Sequence, residues 1–328
     1  MKNLFYLFAL VLLFNVSLFG QTKQVSYHDV DGELVETSEQ SYFYRIISID
    51  EQYPDLRKYQ EYYTKDDRLK LDTRLTSGMN TMSRIGECRT YYPNGQLQEK
   101  LRYNENHMLI DTAFSYYANG ILYAQKFYTG QTEILNDLDT REVDTKYILV
   151  QDSLGKIVVT QGNGILPIYD LNKMELLEQG KLSDHKKNGE WSGKANKQTF
   201  VETWKEDRLI SGITKDSLGV ETKYDEQNFA IAPEYPGGTK ALRMFVANNY
   251  RYPPAAIDNG VSGTIQIEFI VERNGKMTNF KVRNDLGHGT GQAAINAISK
   301  AKKQWTPGVQ RGIPVRVAYA LPITLNLM

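Results

Sequence analysis

The reactive side chains of this sequence are few and scattered. Histidines stand at 28, 107, 185 and 288, and no HExxH or GxSxG element accompanies them. The single cysteine, Cys88, excludes an internal disulfide and any structural zinc site built on several cysteines. The stretch "GHGTGQAA" at 287–294 follows an expected strand and opens an expected helix, so Gly289, Gly291 and Ala294 imitate a dinucleotide fingerprint. That fingerprint wants an acidic residue ~20 positions further on, to hold the ribose. From Leu286 to the end there is no carboxylate side chain, and no repeated βαβ pattern surrounds the glycines. These residues point to a protein that is not an enzyme, with no catalytic residue, no cofactor and no metal.

The chemistry left to the chain is that of its backbone. It closes on "WTPGVQRGIPVRVAYALPITLNL", residues 305–327, in which Val315, Val317, Tyr319, Leu321, Ile323, Leu325 and Leu327 alternate with other residues. Period-2 alternation marks a strand with one buried face. Pro314 and Pro322 lie within it, and proline has no N–H for a sheet ladder. Both are even-numbered, so both are expected to face one free edge. Arg316, Ala318 and Ala320 would then present their backbone groups there, with Val317 and Tyr319 between them. An extended peptide can add to such an edge as a further strand. Prolines can equally serve to guard an edge against aggregation, and the residues alone leave both roles open.

Several elements must position that strand. Pro236-Gly237-Gly238 punctuates the chain, Thr239 can cap a helix running to about Asn248, and Leu242, Phe245 and Val246 share one face of it. Tyr252-Pro253-Pro254 stops the helix. Ile265, Ile267, Phe269 and Val271 alternate as a strand, and Asn274-Gly275 turns it back into Phe280 and Val282. Ala294, Ala297, Ile298, Ala301 and Trp305 then recur at helical spacing. Helix, strand, strand, helix, strand gives a small α+β unit, with two helices on one face of a three-stranded antiparallel sheet.

This stretch closely resembles the TonB C-terminal domain in the form found among exported proteins of Bacteroidetes-type bacteria. The resemblance rests on Pro233-Glu234-Tyr235-Pro236-Gly237-Gly238, Tyr252-Pro253 with Ala256, Gly260, Gly263, Asn274-Gly275, Ala293-Ala294, Trp305-Thr306-Pro307-Gly308, Gly312, Val315 and Leu321-Pro322-Ile323. It implies that the last strand receives the TonB box, a short extended segment of an outer-membrane TonB-dependent receptor. It also implies that the Tyr252-Pro253 motif lies near the receptor contact. A full TonB transducer has a membrane anchor engaging the ExbB–ExbD motor and a proline-rich arm. Here the ten prolines are scattered, so engagement of that motor is expected only if the N-terminal segment stays uncleaved.

The preceding part contains an internal repeat. "YYPNGQLQEKLRY" at 91–103 and "YYANGILYAQKFY" at 116–128 align without a gap at a period of 25 residues. Asn-Gly between aromatic runs is a strong hairpin signal, because both turn residues can take positive φ. Stacked hairpins would bury the tyrosines between them. "QDSLGKIVV" at 151–159, "KDSLGVETK" at 215–223 and "KKNGEW" at 186–191 are looser echoes. The segments resemble MORN-like repeats with a Tyr-Tyr-x-Asn-Gly core, which implies a β-rich scaffold or binding surface. Such repeats often carry a second glycine turn after the closing tyrosine, and "NENHML" after Tyr103 lacks that glycine.

Length and charge frame the whole. The 328 residues suggest about two domains, and 41% hydrophobic content suffices for real cores. Net charge is zero, which gives no argument for nucleic acid. Residues 229–328 hold 12 basic and 5 acidic side chains, a net of +7, so the remainder carries −7. The shift supports a boundary near residue 228 and hints at an acidic partner for the tail. "MKNLFYLFALVLLFNVSLFG" reads as an export signal, with Lys2 before an apolar run too short for the ~20 residues of a spanning helix. The organisation expected is a signal peptide at 1–20, a β-rich segment at 21–84, a hairpin-repeat region at 85–228 and the TonB-like domain at 229–328. The fold class is mixed, β-rich and α+β. The expected compartment is the periplasm, with an inner-membrane anchor as the alternative. Monomer and homodimer both stay open, as does a scaffold or adaptor role in which the repeats bind envelope proteins or polymers.

Overall fold

A computed structural model of the chain describes residues 23–76, 82–134 and 141–326, with the side chains of 132–134 and 141–143 outside the description. The proposed export segment and Leu327 also lie outside it. The chain divides into two compact units, one up to Lys187 and one from Asn188.

The first unit is an antiparallel meander. Strands Phe43–Ile49, Leu56–Tyr63, Leu69–Thr76, Arg84–Tyr91, Leu97–Tyr103, Ile110–Tyr116 and Leu122–Ile134 each pair with the next. Arg141–Gln151, Ile157–Thr160, Asn163–Asp170 and Glu175–Ser183 continue the pattern. The Tyr-Tyr-x-Asn-Gly segments are hairpin tips, but their geometry differs from the expected one. Only the glycines, Gly95 (φ +84°) and Gly120 (φ +83°), take positive φ. Gly95 donates to the Tyr92 carbonyl at 2.8 Å and Tyr92 donates to the Gln96 carbonyl at 2.9 Å. This is a turn closed by a left-handed glycine, which needs only one residue at positive φ. Asn94 has another role. Its Oδ1 accepts the Gln96 N–H at 3.0 Å, and its Nδ2 donates to the Ala118 carbonyl of the next tip at 2.7 Å. Asn119 repeats this, donating to the Ser153 carbonyl at 3.1 Å.

The tyrosines follow the same rule. Tyr63, Tyr92 and Tyr117 are buried, and their hydroxyls donate to the carbonyls of Tyr91, Tyr116 and Gln151 at 2.8, 2.7 and 2.9 Å. Each hairpin is thereby tied to its successor at the tip. The missing second glycine turn exists after all. His107 occupies it at φ +63°, donating its N–H to the Asn104 carbonyl at 2.9 Å. Histidine tolerates the left-handed region better than most residues, though less well than glycine.

The second unit holds strands Gln198–Lys205, Arg208–Lys215 and Glu221–Tyr224, paired in order after the end of the Lys186–Ala195 strand. The Asp-Ser-Leu-Gly echo is a tip here too, with Gly219 donating to the Asp216 carbonyl at 3.1 Å. A three-stranded sheet follows, in the order Met277–Arg283, Gly263–Val271, Val317–Leu325. Helices Gly238–Asn249 and Thr290–Ile298 cover one face of it, burying Leu242, Val246, Ala294 and Ile298 against Ile265, Ile267, Phe269, Val271 and Leu321. The short helix Pro254–Asp258 lies between the first helix and the sheet in sequence.

Four expectations need correction. Asn188-Gly189 lies within the strand Lys186–Ala195, and the chain turns before it, at Asp184 and His185 with φ +51° and +65°. Thr239 does not cap the first helix, whose N-cap is Gly237 at φ +90°. The second helix ends at Ile298, although Ala301 and Trp305 are buried in the same core. Trp305 reaches it from the segment after the helix, its backbone N–H donating to the Gly275 carbonyl at 3.0 Å. The closing strand is also not continuous. Ile313–Val315 pairs with Gly308–Gln310, which pairs with Ala230–Ile231, in a second small sheet. Pro314 and Pro322 therefore sit in different sheets, each on an edge strand where a missing N–H costs no ladder bond.

One buried ion pair fastens this small sheet to the hairpins before it. Glu202 is fully buried and accepts from Arg311 Nε at 2.7 Å, Tyr224 O–H at 2.9 Å and Trp204 Nε1–H at 2.9 Å. The Arg311 guanidinium lies 3.8 Å over the Phe200 ring.

Candidate peptide-binding edge

The last strand, Val317–Leu325, pairs with Gly263–Val271 over nine consecutive residue pairs, from Val271–Val317 to Gly263–Leu325, without a register shift. Its odd positions turn inward. Tyr319 stacks at 5.4 Å on Phe269 and meets Trp305 edge-on at 4.9 Å, and its hydroxyl is hydrogen-bonded to Thr239 Oγ1 at 3.0 Å. Leu321 and Leu325 are buried, while Ala318, Ala320, Pro322 and Thr324 are exposed.

The strand is an edge of its sheet, with Gly263–Val271 on one side and no strand on the other among the described residues. Pro322 stands opposite Gln266 within an unbroken register. A proline turned inward would leave a gap in the ladder, so its backbone nitrogen belongs on the open side. Backbone groups alternate in direction along a strand. Ala318, Ala320 and Thr324 accordingly offer N–H and C=O groups to that side, and Pro322 offers C=O alone.

The five residues expected to form the edge do not form a single run. Val317, Ala318, Tyr319 and Ala320 are in the strand, and Arg316 lies in the break between the two short sheets. The Arg316 side chain is not a free cation. Its Nε and Nη2 donate to both Glu272 oxygens at 2.8 and 2.9 Å, a bidentate pair on the surface. Hydrogen bonds from Arg316 and Thr278 hold the Glu272 carboxyl below the usual carboxylate range. Tyr252 and Pro253 belong to another part of the unit. The Tyr252 hydroxyl donates to the Val261 carbonyl, its ring meets Tyr250 edge-on, and Pro253 lies beneath Gly289. Those partners lie outside the last strand.

The glycine-rich stretch at 287–294 does begin a helix, with Gly289 as its N-cap at φ +79°. An anion would use the amides at that end. Asp285 already takes them, its Oδ1 accepting from the Gly287 and Gly291 amides at 3.0 and 3.2 Å and from the Thr290 hydroxyl at 3.0 Å. A Cβ at Gly291 would come 2.6 Å from Asp285 Oδ2, so this glycine makes room for an internal carboxylate. Among the described residues no group of three or more His, Cys, Asp or Glu side chains could hold a metal ion. No helix among them is long and apolar enough to cross a membrane.

Sequence reasoning missed the small sheet because its strands are two or three residues long. It also missed the tip at Tyr63, which closes on Asp67 at φ +56° through a longer loop and has no Asn-Gly to mark it.

Residues 248–327 match the family described as Gram-negative bacterial TonB protein C-terminal, a transport-associated domain without catalysis. The match covers the Tyr252-Pro253 motif and the last strand. It begins after Pro233-Glu234-Tyr235-Pro236-Gly237-Gly238, yet Glu234 bridges Thr306 and Tyr235 meets Trp305 at 5.6 Å, so that motif shares the same core. It does not extend over the hairpins at 85–228, whose likeness to MORN-like repeats stays a resemblance. A comparison with curated proteins finds no match.

Proposed function

We propose that a TonB-type C-terminal domain ends this chain and receives an extended peptide on the outer edge of Val317–Leu325, by addition of a strand. One observation carries the proposal: the last strand pairs along its whole length on one side and, among the described residues, is open on the other. The family match at 248–327 adds that such domains meet outer-membrane receptors. The partner is accordingly a short extended segment of a TonB-dependent receptor, and the chain acts as a non-enzymatic component of transport across the outer membrane, working in the periplasm. Coupling to the ExbB–ExbD motor requires the N-terminal segment to stay in the inner membrane. If it is cleaved, the chain acts as a soluble adaptor, with its hairpin region as a scaffold for envelope proteins or polymers.

Amide hydrogen exchange tests the edge. A synthetic peptide of the receptor's TonB box should protect the amides of Ala318, Ala320 and Thr324, and leave those of Val317 and Tyr319 as they were. Ala320→Pro should weaken binding at least about tenfold, since it removes one outward donor. Unchanged exchange at Ala318 and Ala320 with the peptide bound elsewhere would sink the proposal. The N-terminal mass of the protein from fractionated cells separates the anchored from the soluble role.

A further inference from the structure

Strands Gln24–His28, Phe43–Ile49, Leu56–Tyr63 and Leu69–Thr76 bury Phe43, Glu61, Tyr63, Leu71 and Leu75 on one face. Their other face carries a row of tyrosines. Cross-strand register sets Tyr27 beside Tyr44 and Tyr44 beside Tyr62, with ring centroids 6.3 and 5.3 Å apart. The next row runs Ile46, Gln60, Asp72, with Gln60 Nε2 donating to Asp72 Oδ1 at 3.0 Å. The row after it runs Ser48, Lys58, Arg74. A cleft of 440 Å³ opens over these rows, where Ser48, Gln60 and Tyr62 line it together with three cations, Lys23, Lys58 and Arg74, and two carboxylates, Asp50 and Glu51.

Charge gives this cleft a direction. Lys58 and Arg74 stand directly opposite each other, and like charges so placed destabilise a sheet. Asp50 neutralises Arg74 at 2.7 Å. Among the described residues Lys58 has no carboxylate partner, although it is exposed beside the cleft. A bound anion would relieve that arrangement. The cleft lies over the sheet's face, and the strands Phe43–Ile49, Leu56–Tyr63 and Leu69–Thr76 are paired on both sides. A peptide therefore has no edge here to extend. The Tyr62 ring, the Gln60 amide and Ser48 hydroxyl, and an excess of cations that includes Lys23 and Lys58 suit a ring with an apolar face, several hydroxyls and a negative charge.

We propose that this face binds an acidic saccharide, with a sugar ring against Tyr62, its hydroxyls on Gln60 and Ser48, and its carboxylate on Lys58. The proposal is independent of the edge on the last strand. Calorimetric titration of the protein with trigalacturonate and with maltotriose tests it. Trigalacturonate should bind at least about tenfold more tightly than maltotriose. Lys58→Gln should remove most of that difference. Tyr62→Phe should keep binding and Tyr62→Ala should lose it. Lys58 is exposed, so Lys58→Gln decides the matter even if Tyr62→Ala disturbs the fold. Equal affinity for the two sugars, equal affinity for oligoglutamate, or unchanged trigalacturonate binding by Lys58→Gln would overturn the proposal.

Discussion

Up to Lys187 the chain is joined hairpin to hairpin by hydroxyls, and around Gly263–Val271 it is joined by apolar side chains. Tyr63, Tyr92 and Tyr117 each bury a ring and end on a carbonyl of the following tip. Ile265, Ile267, Phe269 and Val271 instead meet Leu242, Val246, Ile298 and Leu321 in one cluster. A net hydrogen bond contributes about 1 kcal/mol, whereas burying a large apolar side chain contributes about 1.5–3 kcal/mol. The first arrangement is stabilised in small steps shared between neighbours. The second stands or falls as one core. The difference shows where an open edge can be kept. Every strand from Leu56–Tyr63 to Ile110–Tyr116 is paired on both sides, but the single core holds Val317–Leu325 from one side.

The three tryptophans, Trp191, Trp204 and Trp305, all lie after Lys187, so their fluorescence reports the second unit alone. Breaking the Glu202–Arg311 pair should have the largest effect. Glu202→Gln should lower the urea stability read by tryptophan by about 3–5 kcal/mol, because it leaves the Arg311 charge without its buried partner. Gly275→Ala comes next. A Cβ there would lie 2.1 Å from the Trp305 carbonyl oxygen, on a residue at φ +75°, and should cost about 2 kcal/mol or more in the same measurement. A change of less than about 0.5 kcal/mol in either variant would mean that this unit is not one cooperative core.

Tyr117→Phe removes one tip bond. It should cost about 1 kcal/mol in unfolding followed by far-ultraviolet circular dichroism, and leave the tryptophan signal unmoved. His107→Gly should change the stability of the hairpin unit by no more than about 0.5 kcal/mol, since relief of a left-handed residue is set against the extra chain entropy of glycine and the loss of the His107 Nδ1 hydrogen bond to the Arg84 carbonyl at 3.1 Å. The smallest effect belongs to Glu272. Its folded pKa is depressed, so the Arg316 pair contributes fully above the ordinary glutamate value of 4.5 and is lost as pH falls through the lower folded value. A slight acid-side loss of stability should therefore shrink in Arg316→Ala, where the Thr278 hydrogen bond alone still holds the carboxyl down, measured as melting temperature against pH.

The residues that make the tips legible in the sequence are the glycines. Asn94-Gly95, Asn119-Gly120 and Asn274-Gly275 all mark hairpins correctly, because a chain that reverses over three residues needs one at positive φ. His107 and Asp67 serve the same turns without that signal, so composition alone passes over them. In the C-terminal region, alternation identified Gly263–Val271 and the last strand, and helical spacing placed Leu242, Val246, Ala294 and Ile298 on buried faces. It then ran on to Trp305, because burial continues where the helix has ended. The break at Arg316 was invisible, since Val315 and Val317 keep the alternation while the chain passes from one sheet to another. The Glu202–Arg311 pair spans 109 positions and has no local pattern.

The tips have a consequence for how this protein can change over time. Each tyrosine hydroxyl ends on a main-chain oxygen, and the three receiving positions hold Tyr91, Tyr116 and Gln151. Any residue supplies that oxygen. The receiving side chain is thus free to drift, and the donor needs no compensating partner. Pairs of positions that vary together reveal contacts between side chains. These junctions would leave no such trace, so hairpins of this kind can diverge past recognition while keeping the same joint.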